Sequence, residues 1–348
     1  MISRGIMKTI IVDMMGGDLA PIETVKGVVM ASKEMPANYI LVGPKAELLS
    51  TAETCGVSLD GFEIVDAQSV ITMTDDPICV TRAKSDSSMR VALRMLADGK
   101  GDAVVSSGNT GALFAGANLI VRKIKNLRRP AIAALLPMQP PLLLLDSGAN
   151  IEGTPENLEQ FAVMGSAYMH AIQGVENPRV GLLNNGAEAH KGTALQTQTY
   201  KLLSENPDIN FVGNVEGNKA MTDTCDVLVT DGFTGNILLK GIEGMGAMML
   251  KTLKGVFLAN IVTKIGALLV KPQLKAVKKN FDPREYGGAP ILGISKPVIK
   301  AHGSADAKTF KNAIRMAIAF SEAELTDTMA QSLAALAERK RTAVQVEN

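Results

Sequence analysis

The chain has 348 residues, 46% of them hydrophobic and 20% charged, with 36 Lys or Arg against 35 Asp or Glu. That balance excludes global disorder and leaves ample core for one large domain or two interleaved lobes. Three scattered cysteines (Cys55, Cys79, Cys225) form neither a disulfide framework nor a zinc-ligand spacing, and the residues before Lys8 are too few for a signal peptide, with Met7 a second candidate start.

Taken in chain order, short β-branched runs predict strands at Thr9–Val12, Tyr39–Val42, Phe62–Val65, Ala103–Val105, Ile132–Leu136, Leu142–Leu145, Val180–Leu183, Asn210–Val212, Val227–Thr230, Pro290–Gly293 and Val298–Lys300. Helical patterns lie between them near 21–34, 86–98, 110–123, 155–173, 193–204, 234–258 and 306–338. Alternation of this kind implies βαβ units and a largely parallel sheet covered on both faces. The prolines of Pro137-Met-Gln-Pro-Pro141 predict a turn and an antiparallel pair inside that sheet. No linker or repeat divides the chain. The expectation is one three-layer α/β/α body over 1–348, with a protruding basic helical hairpin at 246–284 and a C-terminal helix or tail at 326–348.

The segment from Lys251 to Arg284 holds eight Lys or Arg against one acid, Asp282, which leaves the rest of the chain net acidic. Apolar residues recur inside it at 249, 253, 257, 261, 265 and 268, near helical spacing. The apolar run Val256–Val270 is fifteen residues with one charge, Lys264, short of the ~20 that a spanning helix needs. A helical hairpin lying on an anionic membrane fits this pattern, as does a core or dimer-interface helix pair with solvated lysines.

Polar glycine turns follow several strands: Asp13-Met-Met-Gly-Gly-Asp18, Ser106-Ser-Gly-Asn-Thr-Gly111, Asp146-Ser-Gly-Ala-Asn150 and Asp231-Gly-Phe-Thr-Gly-Asn236. Backbone amides at helix starts bind anions, and four such turns predict a shared polar cleft. Asn184-Asn-Gly-Ala-Glu-Ala-His-Lys191 adds Glu188, His190 and Lys191 at another strand end. Arg82-Ala-Lys84 and Lys300-Ala-His-Gly-Ser304 bring further charge. No G-x-G-x-x-G follows a strand, and neither a P-loop nor a G-x-S-x-G elbow occurs. His170, His190 and His302 are too far apart for a zinc motif. The cleft reads as one for an anion and an organic group, without metal, cofactor or covalent nucleophile.

These motifs resemble the bacterial phosphate acyltransferase (PlsX) family of phospholipid synthesis. The resemblance runs through Asp13–Asp18, Ser85-Asp-Ser-Ser-Met89, Ser107-Gly-Asn-Thr-Gly-Ala112, Phe161-Ala-Val-Met-Gly165 and Asn177-Pro-Arg-Val-Gly-Leu-Leu-Asn184. It continues in Phe211-Val-Gly-Asn-Val-Glu-Gly217, Val229–Asn236, Glu285-Tyr-Gly-Gly-Ala-Pro290 and Ile299–Ser304, nearly end to end. It implies a fold like isocitrate dehydrogenase and phosphotransacetylase. It also implies a homodimer on the inner membrane that makes acyl phosphate from acyl-carrier protein and inorganic phosphate. A membrane-bound glycerol-3-phosphate acyltransferase is the implied downstream partner, with no nucleic acid. The family pattern has Gly-Glu-Glu and a non-His residue before Lys-Gly, so Asn185, Ala187 and His190 depart from it, and the essential group moves from His190 to Lys191.

On this reading Lys191, Arg82 and Lys84, with amides around Gly16, Gly17, Gly108 and Gly111, hold phosphate. Asn109, Asn236 or His302 donates to the oxyanion, and His302 protonates the leaving thiolate. Asp13, Ser107, Thr110, Glu188, Asp231 and Thr234 line the site. Leu268, Leu269, Lys271, Lys275, Lys278 and Lys279 meet either membrane or the acidic carrier protein. Two alternatives stay open: a dehydrogenase of the isocitrate or isopropylmalate type, which needs an arginine cluster and metal-binding aspartates, and a non-catalytic membrane scaffold for a partner acyltransferase.

Overall fold

The computed structural model describes residues 7–280, 285 and 287–347, with side chains omitted at 274–280, 343, 344, 346 and 347. The N-terminal half runs β1 (Thr9–Asp13), α1 (Ile22–Glu34), β2 (Asn38–Gly43), α2 (Lys45–Thr54), β3 (Glu63–Asp66), α3 (Ser88–Ala97), β4 (Ala103–Ser106) and α4 (Thr110–Gly116), which continues as a π-helical turn over Ala117–Arg122. Then come β5 (Ala131–Leu136), β6 (Leu142–Leu145), α5 (Pro155–Gln173), β7 (Arg179–Asn184), α6 (Ala194–Ser204), β8 (Asn210–Glu216) and β9 (Val227–Val229). The chain closes with α7 (Gly232–Leu258), α8 (Ile261–Asn280), β10 (Gly288–Leu292), β11 (Val298–Ala301), α9 (Ala307–Glu322) and α10 (Leu325–Glu347).

All the strands join one sheet in the order β3-β2-β1-β4-β11-β10-β5-β6-β9-β7-β8. Pairing is parallel from β3 to β11 and again from β6 to β8. Between these blocks β10 runs antiparallel to β11 and β5, and β5 antiparallel to β6. The antiparallel β5–β6 pair is where the prolines predict it. The reversals also turn the second parallel block opposite to the first along the pairing. Strand carboxyl ends of the two blocks therefore do not share one sheet edge, a feature that strand prediction alone does not contain.

Strand residues alternate between two apolar layers because both faces are covered. Ile10 and Val12 belong to one apolar layer that also takes in buried residues of α1, α5, α9 and α10. Ile11 and Val104 pack with α3, α4 and the π-turn, and Leu144 and Leu228 pack with the first turns of α7. The helix expected over 306–338 is two: α9 stops at Glu322, and Glu324 takes a left-handed φ of 49° before α10 begins. α2 was not expected; only Leu48 and Ala52 of its ten residues are buried, too few to show a period.

α7 starts inside the body, with Gly232 and Gly235 buried, then leaves it. From Glu243 to Gln273 no residue is buried. Ile261 is 74% exposed, Val262 78%, Leu268 67% and Leu269 76%. Among the described residues no helix is long and apolar enough to cross a membrane.

Candidate active site

Asp13 ends β1 fully buried, and its carboxylate organises the turns around it. Ser88 Oγ donates to Oδ1 at 2.6 Å and Ser106 Oγ donates to Oδ2 at 2.6 Å. Burial pushes the Asp13 carboxyl above its usual range while these donors pull it back. Ser106 Oγ also accepts from the Gly108 amide, 3.1 Å, and Ser107 Oγ donates to the Gly16 carbonyl, 2.5 Å. Gly17, at φ +99°, lies so close to Ser107 Oγ and the Gly303 carbonyl that a Cβ would stand 2.7 and 2.8 Å from them. The Asp18 amide donates to Gly303 O at 2.8 Å. Three turns from β1, β4 and β11 are thereby stitched into one polar cluster.

Lys300 completes it. The residue is 7% exposed, and its ammonium donates to the carbonyls of Ser107 (3.3 Å) and Ala301. Burial pushes its pKa down to about 8, opposed by the negative charges of Asp18 and Asp13. On the rim, the exposed His302 accepts the Ser304 amide at Nδ1. The same Nδ1 lies 2.9 Å from the Ser304 hydroxyl. In the first turn of α4 the side chain of Asn109 caps the Ala112 amide at 3.0 Å, while the exposed Thr110 and neighbouring Gly111 stand where first-turn amides have no helical acceptor.

Several proposed roles change on this geometry. The Asn109 amide donates to the carbonyls of Thr72, Met73 and Asp75, so it tethers the 72–75 loop and has no free hydrogen for an oxyanion. Lys84 is committed to Asp75 (2.6 Å) and Val70 O (2.7 Å), and this ion pair holds the Asp75 carboxyl down at about 2. Arg82, two residues earlier, is exposed, and its guanidinium has no acceptor among the described hydrogen bonds. The Asp13 side chain holds hydroxyls and would repel a phosphate.

The other turns form a second cluster. Asp146, fully buried, accepts from the amides of Ile132, Gly148, Ala149 and Asn150 at 2.7–3.1 Å. The Gly232 amide donates to Asn150 O at 2.7 Å. At Gly235 a Cβ would stand 1.9 Å from the Asp146 carbonyl, so only glycine lets the two backbones meet. Asp231 accepts from the amide and hydroxyl of Thr234, both at 2.8 Å, as the cap of α7; these two side chains are thereby structural. Asn236 is exposed over Gly148. Among the described residues no hydrogen bond joins this cluster to the Asp13–Lys300 cluster. Glu188, His190 and Lys191 are exposed on a third turn, held by Asn184 Nδ2 on Lys191 O (3.0 Å) and Asn214 Nδ2 on Glu188 O (2.8 Å).

Leu268, Leu269 and Lys271 are exposed on α8, while the side chains of Lys275, Lys278 and Lys279 fall outside the described residues. A concavity of about 540 Å³ between α5 and α9, lined by Tyr168, Ile172, Met316 and Phe320, involves none of the turns. Among the described residues no group of three His, Cys, Asp or Glu is placed to hold a metal. Sequence reasoning missed Ser88, Ser106 and Lys300 as site residues, although each stands inside or beside a motif that it singled out.

A sequence profile of the fatty acid synthesis protein family matches residues 8–328. A phosphate acyltransferase of Clostridium acetobutylicum is 44% identical over 326 residues, covering 93% of this chain and 98% of that protein. One of Fusobacterium nucleatum is 44% identical over 327 residues, with 93% and 98% covered. Among solved structures, a phosphotransacetylase from Streptococcus pyogenes superposes with a TM-score of 0.61 at 16% identity, covering 95% of each chain, which shows the shared α/β/α fold. The chain belongs to the phosphate acyltransferase family, enzymes of fatty acid and phospholipid synthesis.

Proposed function

We propose that the protein makes acyl phosphate by direct attack of inorganic phosphate on the thioester of an acyl-carrier protein. The observation that carries this reading is the Asp13–Lys300 cluster. There two glycine turns, the open start of α4 and a buried ammonium converge, with a proton donor on the rim. Phosphate dianion is already a competent nucleophile, so the protein supplies position and charge stabilisation rather than a strong base. A phosphate oxygen bonds to the thioester carbon, and the carbonyl electrons move onto an oxyanion. The C–S bond then breaks as the carbonyl re-forms, and the leaving thiolate takes a proton from the imidazolium form of His302, which returns to the neutral ring. No covalent enzyme intermediate is required. Arg82 is an exposed cation available to the phosphate; Lys191 and Asn236, after the carboxyl ends of β7 and β9 in the other strand block, form a separate candidate site, and the substitution below decides whether Lys191 takes part.

The exposed apolar helices α7 and α8 fit a peripheral seat on the inner membrane, in a homodimer that passes acyl phosphate to a membrane-bound glycerol-3-phosphate acyltransferase. The decisive experiment incubates pure protein with acyl-carrier thioester and phosphate and traps acyl phosphate with hydroxylamine. No hydroxamate above the enzyme-free control would refute the reaction. Lys191→Ala should lose more than nine-tenths of turnover, within the ~100-fold or larger losses seen when a charge-stabilising donor is removed. Retention of full activity would remove Lys191 from the site.

A further inference from the structure

We propose that the loop from Arg122 to Arg129 is the docking surface for the acidic carrier protein. This rests on the reading of the donor as a carrier thioester. Residues 103–145 contain no Asp or Glu, and their five basic residues, Arg122, Lys123, Lys125, Arg128 and Arg129, all fall in this loop. All five are exposed, while Ile124 and Leu127 between them, and Val121 just before them, are buried. Among the described residues only Arg128 has an acidic partner, Glu156 at 3.2 Å.

The loop is held in one shape. Arg122 and Asn126 adopt left-handed φ values of 76° and 67°, a sterically disfavoured state for residues with a Cβ that persists only where surroundings enforce it. Enforcement comes from several sides. The Ile124 amide donates to Gly293 O (2.8 Å) and the Ser295 amide to Arg122 O (2.9 Å). Gln160 grips both Asn126 O (2.8 Å) and the Arg128 amide (2.9 Å). A solvated charge run has no need of such a frame, whereas a preorganised basic platform lowers the ordering cost of binding.

Its position also fits. The seven residues of α4 and five of the π-turn, Ala117–Val121, separate the glycine turn at Asn109 from the loop. At helical rise that is roughly 20 Å, the order of length of an extended phosphopantetheine arm. A carrier seated on the loop would have its thioester within reach of the Asp13–Lys300 cluster. An acidic protein suits the loop better than a lipid surface, because no apolar side chain is exposed between residues 122 and 129. Membrane insertion needs exposed apolar groups, and α7 and α8 carry those instead.

Lys125 and Arg129 make no side-chain hydrogen bond or ion pair among the described residues, so Lys125→Glu/Arg129→Glu probes the surface without breaking a structural contact. Fluorescently labelled acyl-carrier protein is titrated into full-length protein without phosphate, at low and high salt. In parallel, binding to phosphatidylglycerol vesicles and turnover of a short acyl-pantetheine thioester are measured. The double variant should bind the carrier roughly tenfold more weakly and lose most of the salt dependence, with vesicle binding and pantetheine turnover unchanged. Unchanged carrier affinity, or wild-type protein that does not bind carrier, overturns the proposal. So does a variant that keeps carrier affinity and loses vesicles, an outcome that assigns the loop to lipid headgroups. Carrier binding is read without turnover. A wild type that binds carrier and forms no acyl phosphate would sink the reaction and leave the docking surface standing.

Discussion

Lys300 shows how burial decides what a charge can do. A lysine at a strand end reads as solvated, and nothing in its neighbours along the chain signals otherwise. The parallel register of β11 on β4 sets it beside Ser106 and sinks its ammonium under two carbonyl-lined turns. Desolvation favours the neutral form, so the folded value falls to about 8. The sign follows directly: the ammonium is charged below pH about 8 and neutral above it. If that charge attracts phosphate, KM for phosphate should climb as pH passes 8. Lys300→Met should show a raised KM at pH 7 and no such alkaline limb. A limb that persists in the variant would assign the titration elsewhere. Asp13 was legible as a turn residue, but not as a buried hub whose two hydroxyl donors come from residues 88 and 106. Asp13→Ala strands those hydroxyls and should lower stability by ~1–3 kcal/mol, measured by urea unfolding. A loss below a few tenths of a kcal/mol would contradict the hub.

At the scale of elements, strong local patterns were readable and weak ones were not. Every predicted strand lies on an observed one; in the inner strands both-face burial makes apolar runs dense, while the edge strands β3 and β8 are mostly half-exposed. The break between α9 and α10 falls at Ala323 and Glu324, which carry no breaker, so packing rather than propensity sets it. The polar turns were legible as turns. Their grouping was not, since Asn109 finds its partners 34–37 residues away. Where a cap is local its effect is predictable: Thr154 and Asn157 form a capping box at the start of α5, and Thr154→Ala should cost ~1 kcal/mol, read as a lowered Tm. For α8, Leu268→Glu/Leu269→Glu should release the protein from anionic vesicles and spare acyl transfer from soluble carrier donor. Vesicle co-sedimentation equal to wild type would rule out these leucines as the anchor.

For the whole molecule, the exposed stretch from Glu243 to Gln273 stands apart from a body whose β1, β4 and β11 are almost entirely buried. Local stability should follow that division. Amides of α8 should exchange within seconds in solution while those of β4 persist for hours, and vesicles should slow α8 selectively. Equal protection in both would contradict the separation. Strand order lies beyond sequence reading here because pairing between β4 and β11 spans nearly two hundred residues with no local mark. It also sets the order in which the molecule can be finished. The block of β1 to β4 touches the block of β5 to β9 within the sheet only through β10 and β11, which are made near the end of synthesis. Until residues 288–301 leave the ribosome, a nascent chain holds two unjoined half-sheets, each with a raw apolar edge at β4 or β5. The last two strands act as a keystone, and a chain cut before residue 288 should aggregate rather than fold. The same pairing makes an intact Asp13–Lys300 cluster a sign that synthesis has passed residue 302, since Lys300 arrives on the strand that closes the sheet and His302 directly after it.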